Sequence, residues 1–145
     1  MLMKQLSVFL ENKKGTLADL TNILMVHKLD IRAMAVFDTS EFGILRIVVD
    51  DPEKALTVLH EEGYVAKMSK IIAIEPDDRP GSLNEIFQLL NQHDINIEYV
   101  YSFVMRKREL PYIVIKVDNQ QEAVDLLLAA GIKVVNPEEI QPGMK

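Results

Sequence analysis

KKGTLADLTNILMVHKLDI (Lys13–Ile31) and RPGSLNEIFQLLNQHDINI (Arg79–Ile97) decide the fold, because the second stretch repeats the first. Laid over each other, Gly15 meets Gly81, Leu17 meets Leu83, Leu24 meets Leu90, His27 meets His93 and Ile31 meets Ile97. Self-similarity of this kind marks a duplicated structural unit and is sought before any single element is read. A second block repeats as well, DDPEKALTVLHEEGY (Asp50–Tyr64) against DNQQEAVDLLLAAGI (Asp118–Ile132). The later copy carries two extra residues between the blocks, and they fall near MRKRELP (Met105–Pro111). A polar, proline-ended stretch of this kind reads as a hairpin tip that tolerates insertion, with Arg106, Lys107 and Arg108 in solvent.

Working outward, each copy has the same order of elements. LSVFL (Leu6–Leu10) and KIIAIE (Lys70–Glu75) are β-branched or aromatic-rich runs ending at polar residues, the pattern of strands. A glycine turn follows, then Leu17, Leu20 and Leu24, or Leu83, Ile86 and Leu90, at helical spacing, with Ser82 and Glu85 in a capping-box pattern. IRAMAVFD (Ile31–Asp38) and FGILRIVVD (Phe42–Asp50) then form a hairpin around Thr39–Glu41, repeated by IEYVYSFV and YIVIKVD. The next helix is signalled by Asp51 as N-cap, Pro52 at its first position and Gly63 just past its end. Asn119, Glu122 and Gly131 hold equivalent places. A final strand, Tyr64–Met68 or Ile132–Val135, closes each unit as β-α-β-β-α-β. The fold class is therefore α+β: two tandem ferredoxin-like βαββαβ units, residues 1–69 and 70–145, with antiparallel sheets and helices on one face. Leu45, Ile47 and Val49 alternate with Ile44 and Val48, and Ile113 and Ile115 with Tyr112 and Val114, so both sheet faces are apolar. The face without helices is expected to pack on another sheet or chain. With no Gly or Pro between Tyr64 and Glu75, the units are expected to be rigidly coupled.

Composition narrows the function. The chain has 145 residues, 48% hydrophobic and 26% charged, enough to build a core without metals or cross-links. A net charge of −6 argues against a phosphate-neutralising partner of nucleic acid. Zero cysteines exclude disulfides, thiolate nucleophiles and cysteine zinc sites. The opening MLMKQLSVFLENKK is too short in apolar residues for a secretory segment, and no run is long enough to span a bilayer, which points to the cytoplasm. None of the G-x-G-x-x-G, P-loop, H-E-x-x-H or G-x-S-x-G patterns occurs, so neither catalysis nor a cofactor is expected.

The residues most able to hold a ligand lie in the turns ENKKGTL (Glu11–Leu17) and DDRPGSL (Asp77–Leu83). Gly15 and Gly81 let the backbone bend and a ligand approach, and the N–H groups at the helix start that follows favour a carboxylate. The plainer reading of each is a well-made turn ahead of a helix. His27 and His93 end the first helix of each copy, where the helix C-terminus accounts for them without a metal. Asp38, Thr39 and Ser40 suit a side-chain-bonded turn. Tyr99, Tyr101 and Phe103 share one strand face as a packing stripe, or as a platform for a planar ligand group.

DDRPGSLNEIFQLLNQHDINIEYV resembles the ACT regulatory domain, with its D-x-P-G turn, amphipathic helix and I-N-I entry to the second strand. ENKKGTLADLTNILMVHKLDIRAMAVFDTSEFGILRIVVDDPEKA is similar to the first half of small stand-alone proteins built of two ACT domains. The likeness covers all but the tail after Pro137. It implies a free amino acid held between ACT domains by the turn of one and the second strand of a neighbour. By that likeness Asp78, Arg79, Pro80, Gly81, Ser82 and Leu83 form the ligand turn, with Asn12, Lys13, Lys14, Gly15, Thr16 and Leu17 as first-copy counterpart. Lys14 stands where proline is usual and Asn12 where the second copy has Asp78. Asp30, Asn96 and Asp38 are further positions the likeness places at the ligand. Asp78 suits an ammonium group and the helix start a carboxylate, together a zwitterion; Asp38 and the aromatic stripe tilt the choice toward histidine. The resemblance thus implies a non-catalytic regulatory homodimer whose output passes through a partner, such as a regulated enzyme, or through the oligomer itself. The alternatives are an RRM-like nucleic-acid binder, since the RRM shares the element order, or a protein–protein interaction module.

Overall fold

The computed structural model describes residues 1–38, 42–105 and 109–142. The Thr39–Glu41 turn, including Thr39 and Ser40, and the Arg106–Arg108 tip lie outside them. The chain divides into two compact units: Lys4–Ser69 together with the segment after Pro137, and Met1–Met3 together with Lys70–Pro137.

In the first unit, alternating apolar residues make β1 (Met3–Glu11), whose Leu6, Val8 and Leu10 share one face. The chain turns at Gly15 into α1 (Thr16–Val26), which buries Leu20 and Leu24, one turn apart. Lys28, at φ 57°, takes the left-handed conformation that ends α1, and the Leu29 N–H closes back on the Leu24 carbonyl at 2.9 Å. β2 (Ile31–Asp38) and β3 (Phe42–Val49) pair antiparallel, and β3 pairs antiparallel with β1 through Leu6 with Ile47 and Val8 with Leu45. α2 (Pro52–Glu61) starts as its sequence predicts, with the Asp51 carboxylate accepting from the Lys54 N–H at 3.2 Å. It ends at Gly63, φ 88°, where the Tyr64 N–H reaches the Leu59 carbonyl at 2.9 Å. The sheet order here is β2-β3-β1, and Leu45, Ile47, Val49, Ala55 and Leu59 complete a core between it and the helices.

β4 (Val65–Glu75) corrects the reading of two strands, Tyr64–Met68 and Lys70–Glu75: one unbroken strand runs through both. Nothing between them frees the backbone to turn, and Ser69 and Lys70 continue the ladder geometry.

The second unit repeats the plan with α3 (Ser82–Gln92), β5 (Ile97–Phe103), β6 (Tyr112–Val117), α4 (Gln120–Ala129) and β7 (Lys133–Val134). β6 pairs antiparallel with both β5 and the later half of β4. Asn119 caps α4 by accepting from the Glu122 N–H at 3.4 Å, and after Gly131 the Ile132 N–H bonds the Leu127 carbonyl at 3.0 Å, as at Tyr64. Ile72, Ile74, Ile86, Leu90, Ile113, Ile115 and Leu127 form the core. The expected last strand, Ile132–Val135, shrinks to Lys133–Val134 beside β4, with the Val135 N–H bonding the Ala73 carbonyl at 2.8 Å.

The sheet faces turned from the helices are buried at Val48, Ile71, Ala73, Tyr112 and Val114, whereas Phe9 and Phe42 remain exposed. The tail after Pro137 opens with a short 3-10 turn, Pro137–Glu139, and buries Ile140 and Gln141. The Gln141 carboxamide accepts from the Lys4 N–H at 3.1 Å and donates to the carbonyls of Lys4 at 2.7 Å and Val49 at 3.0 Å. It thus continues the β1–β3 ladder beyond its last paired residues, Leu6 and Ile47. No helix is long and apolar enough to cross a membrane among the described residues.

Candidate functional site

The two glycine turns adopt the same unusual conformation. Gly15 and Gly81 are N-caps with φ of 90° and 88°, a region closed to most L residues, and a Cβ at either would have no heavy atom within 4 Å. The glycines are therefore demanded by the bend, and the space above them is open. The first intrahelical bonds run from the Glu85 N–H to the Gly81 carbonyl and from the Asp19 N–H to the Gly15 carbonyl, both at 2.9 Å.

The expected capping box of Ser82 and Glu85 is not formed. Ser82 is the first helical residue, no side chain caps the helix, and Glu85 turns to Arg79. Its two carboxylate oxygens accept from the Arg79 guanidinium at 2.8 and 2.6 Å. This hydrogen-bonded pairing holds Glu85 below the ordinary carboxylate range and raises Arg79. With no side chain capping either helix, the N–H groups of Leu83 and Asn84, and of Leu17 and Ala18, have no acceptor among the described residues.

Those free donors open onto a hollow in each unit. In the second, Asp78, Arg79, Pro80, Gly81, Ser82 and Leu83 line a hollow of about 560 Å³, closed on the far side by Leu110, Pro111 and Ile113. In the first, Asn12, Lys13, Gly15, Thr16 and Leu17 line one of about 250 Å³, closed by Val36 and Gly43. Thr16 steadies the first turn by donating its hydroxyl to the Lys13 carbonyl at 3.0 Å. Lys13 pairs with Glu11 at 3.2 Å, whereas Lys14 is not among the lining residues. Charge differs between the copies: lysines flank the first turn, and Asp77 and Asp78 the second.

The strand positions divide. Asp38 lies opposite Gly43 in the β2–β3 ladder, at the turn end of its unit. Asp30 and Asn96 lie at the other end. The Asp30 N–H donates to the Asp50 carboxylate at 3.0 Å and its own carboxylate pairs with Arg32 at 2.9 Å, while the Asn96 N–H donates to Asp118 at 3.1 Å. A strand of this length separates them from their own unit's turn by roughly 25 Å. The likeness assigns the turn and the second strand to neighbouring domains, and within one unit the two lie apart.

The other polar candidates are accounted for locally. His27 and His93 bond through Nδ1 to the carbonyls of Ile23 and Leu89, at 2.9 and 3.0 Å. Tyr101 and Phe103 are 9% and 7% exposed, with Phe103 stacked on Tyr112 at 5.1 Å, so these two are packing groups and present no platform to a base or a planar ligand. Sequence reading missed Leu110, Pro111, Val36 and Gly43 as lining residues. Their one signal was the position of each hairpin, which brings its loop end back beside the turn.

A sequence profile of the ACT domain pair family matches residues 1–143. Among solved structures, a protein from Bacteroides thetaiotaomicron is similar at TM-score 0.88 and 29% identity, covering 96% of this chain and 95% of that one. The regulatory subunits of aspartate kinase from Thermus thermophilus, in ligand-free form, and from Thermus flavus share the fold at TM-score 0.64. Their identities are 16% and 17%, each over 90% of this chain and 92% of theirs. No curated protein matches the sequence.

Proposed function

The chain belongs to the family of ACT domain pairs, and from that membership we propose that it is a non-catalytic regulatory protein that binds a free amino acid as a homodimer in the cytoplasm. The observation that carries the reading is the turn at Gly81: two N–H groups at a helix start, without an acceptor among the described residues, beside Asp78, on an open hollow. The helix start takes the carboxylate and Asp78 the ammonium group of one zwitterion. The first copy, with Asn12 and Lys14, takes the carboxylate alone or leaves its hollow unused.

The distance between Asp30 and its own turn supports a second copy in the site. β2 is an edge strand, IRAMAVFD, with Met34 and Val36 exposed. Two copies paired antiparallel about Ala35 place Arg32 of each opposite Asp38 of the other and Met34 opposite Val36. That pairing carries the start of each β2, with Asp30, to the turn end of its partner. An amino acid bound there favours the paired arrangement by no more than its difference in affinity for the two states. The output passes through a partner or through the oligomer itself.

Thermal unfolding against each of the twenty amino acids tests the reading. Ligand at about 100 times its dissociation constant adds roughly 2.7 kcal/mol, seen as a higher melting temperature. A rise with one or two amino acids is expected, and silence to all twenty overturns the proposal. Gly81→Val should abolish the rise while the free protein still melts cooperatively, because the strain is confined to one turn. An undiminished rise in that variant removes the turn from the site.

A further inference from the structure

We propose that Glu85 sets the charge specificity of the hollow at Gly81: by holding Arg79 from outside the hollow, it bars amino acids with acidic side chains. The inference rests on the amino-acid reading of that hollow and deepens it. Among the described residues that line the hollow, Arg79 is the one cation, and Asp77 and Asp78 are the anions. Glu85 is not part of the lining, yet both of its carboxylate oxygens accept from the Arg79 guanidinium, at 2.8 and 2.6 Å. Asp77, in the lining, has the weaker contact, 3.7 Å to Arg79 Nε. The fork of Arg79 is thus matched at two points by a group the ligand does not meet.

An amino acid seated at the turn directs its own carboxylate to the helix start and its ammonium group to Asp78. A second carboxylate, on its side chain, then meets Asp77, Asp78 and a guanidinium whose charge Glu85 already answers. Side chains without a negative charge meet no such repulsion, and the hollow offers them Leu83, Leu110 and Pro111. Specificity of this kind comes from the repulsive element as much as from the attractive one. The arrangement is particular to the second copy. In the first, the places of Asp77, Arg79 and Glu85 are held by Glu11, Lys13 and Asp19, and Lys13 turns back to Glu11 at 3.2 Å. Both members of that pair line the first hollow, whereas in the second the partner of the cation stands outside.

Methyl NMR of the intact protein, read at Leu83 in the lining of the hollow, tests this against each of the twenty amino acids. Saturable shifts are expected with at least one of them and with neither aspartate nor glutamate. Glu85→Ala frees Arg79 to meet a ligand carboxylate, so aspartate or glutamate should then bind at least tenfold more tightly than before. Glu85→Gln keeps the shape and removes the charge, and it should act in the same direction. Adding Arg79→Gln to either should cancel the gain. Both side chains lie at the surface, so these variants are expected to fold. Saturable shifts with an acidic amino acid in the unaltered protein overturn the proposal, as do Glu85 variants that gain no acidic ligand or lose every ligand. Each of those results leaves amino-acid binding at the turn standing, because the unaltered protein still binds. Silence of Leu83 to all twenty fails the amino-acid reading itself, and this inference with it.

Discussion

Arg79 has a neighbour on each side that wants its charge, and the structure gives its planar fork to Glu85, with Asp77 at 3.7 Å from Nε. A fork matched to a carboxylate at two points is a stronger arrangement than a point charge at the same distance. The consequence is legible in titration. Because the pairing lowers the Glu85 pKa, the ion pair is complete above the ordinary glutamate value of about 4.3 and is lost as pH falls through the lowered one. Carboxyl carbon NMR should place the Glu85 midpoint below that of ordinary glutamate, and Arg79→Lys should move it back toward the ordinary value. A midpoint at or above the ordinary value contradicts the pairing. The sequence offers Glu85 as the partner of Ser82; the left-handed backbone of Gly81 rules this out, by making Gly81 the cap and placing Ser82 inside the helix.

Helices in this protein begin in two ways. α2 and α4 start at Asp51 and Asn119, whose side chains accept from the N–H three residues on. α1 and α3 start at glycines that accept nothing with a side chain. A side-chain cap satisfies one of the donors that a carboxylate ligand would use, so the uncapped pair are the helices fit for an anion. Asp51→Ala is expected to lower stability by about 1 kcal/mol, seen as a lower urea midpoint at unchanged slope. A midpoint that does not move denies the cap its role. These elements were readable because their signals are local: Asp51 before Pro52, Gly63 and Gly131 after the last turn, and leucines at helical spacing. The run Tyr64–Glu75 was harder. Its lack of a breaker was visible, but the duplication invited a boundary there, and β4 has none.

For the whole chain, the tail after Pro137 belongs with Lys4–Ser69 although β7 ends the second unit. Gln141 makes this specific, since its buried amide answers two groups of Lys4 and the carbonyl of Val49. Gln141→Ala leaves these groups unpaired. Each buried orphan costs about 1–3 kcal/mol, so a clear fall in melting temperature is expected, with faster hydrogen exchange at the Lys4 amide. Unchanged exchange and melting would show that the tail is dispensable.

The sequence by itself determined the repeat, the four helices, the hairpins, the apolar faces and the glycine turns. Each of these rests on periods and turn chemistry that act over a few residues. Only the tertiary structure decided that β4 is one strand, that Gln141 closes the first ladder, and that Asp30 and Asn96 lie a strand's length from their own turns. It also decided that Tyr101 and Phe103 are buried. The physical reason is that burial, and the pairing of distant backbone groups, depend on which surfaces meet, and a residue's own neighbours in the chain do not carry that information.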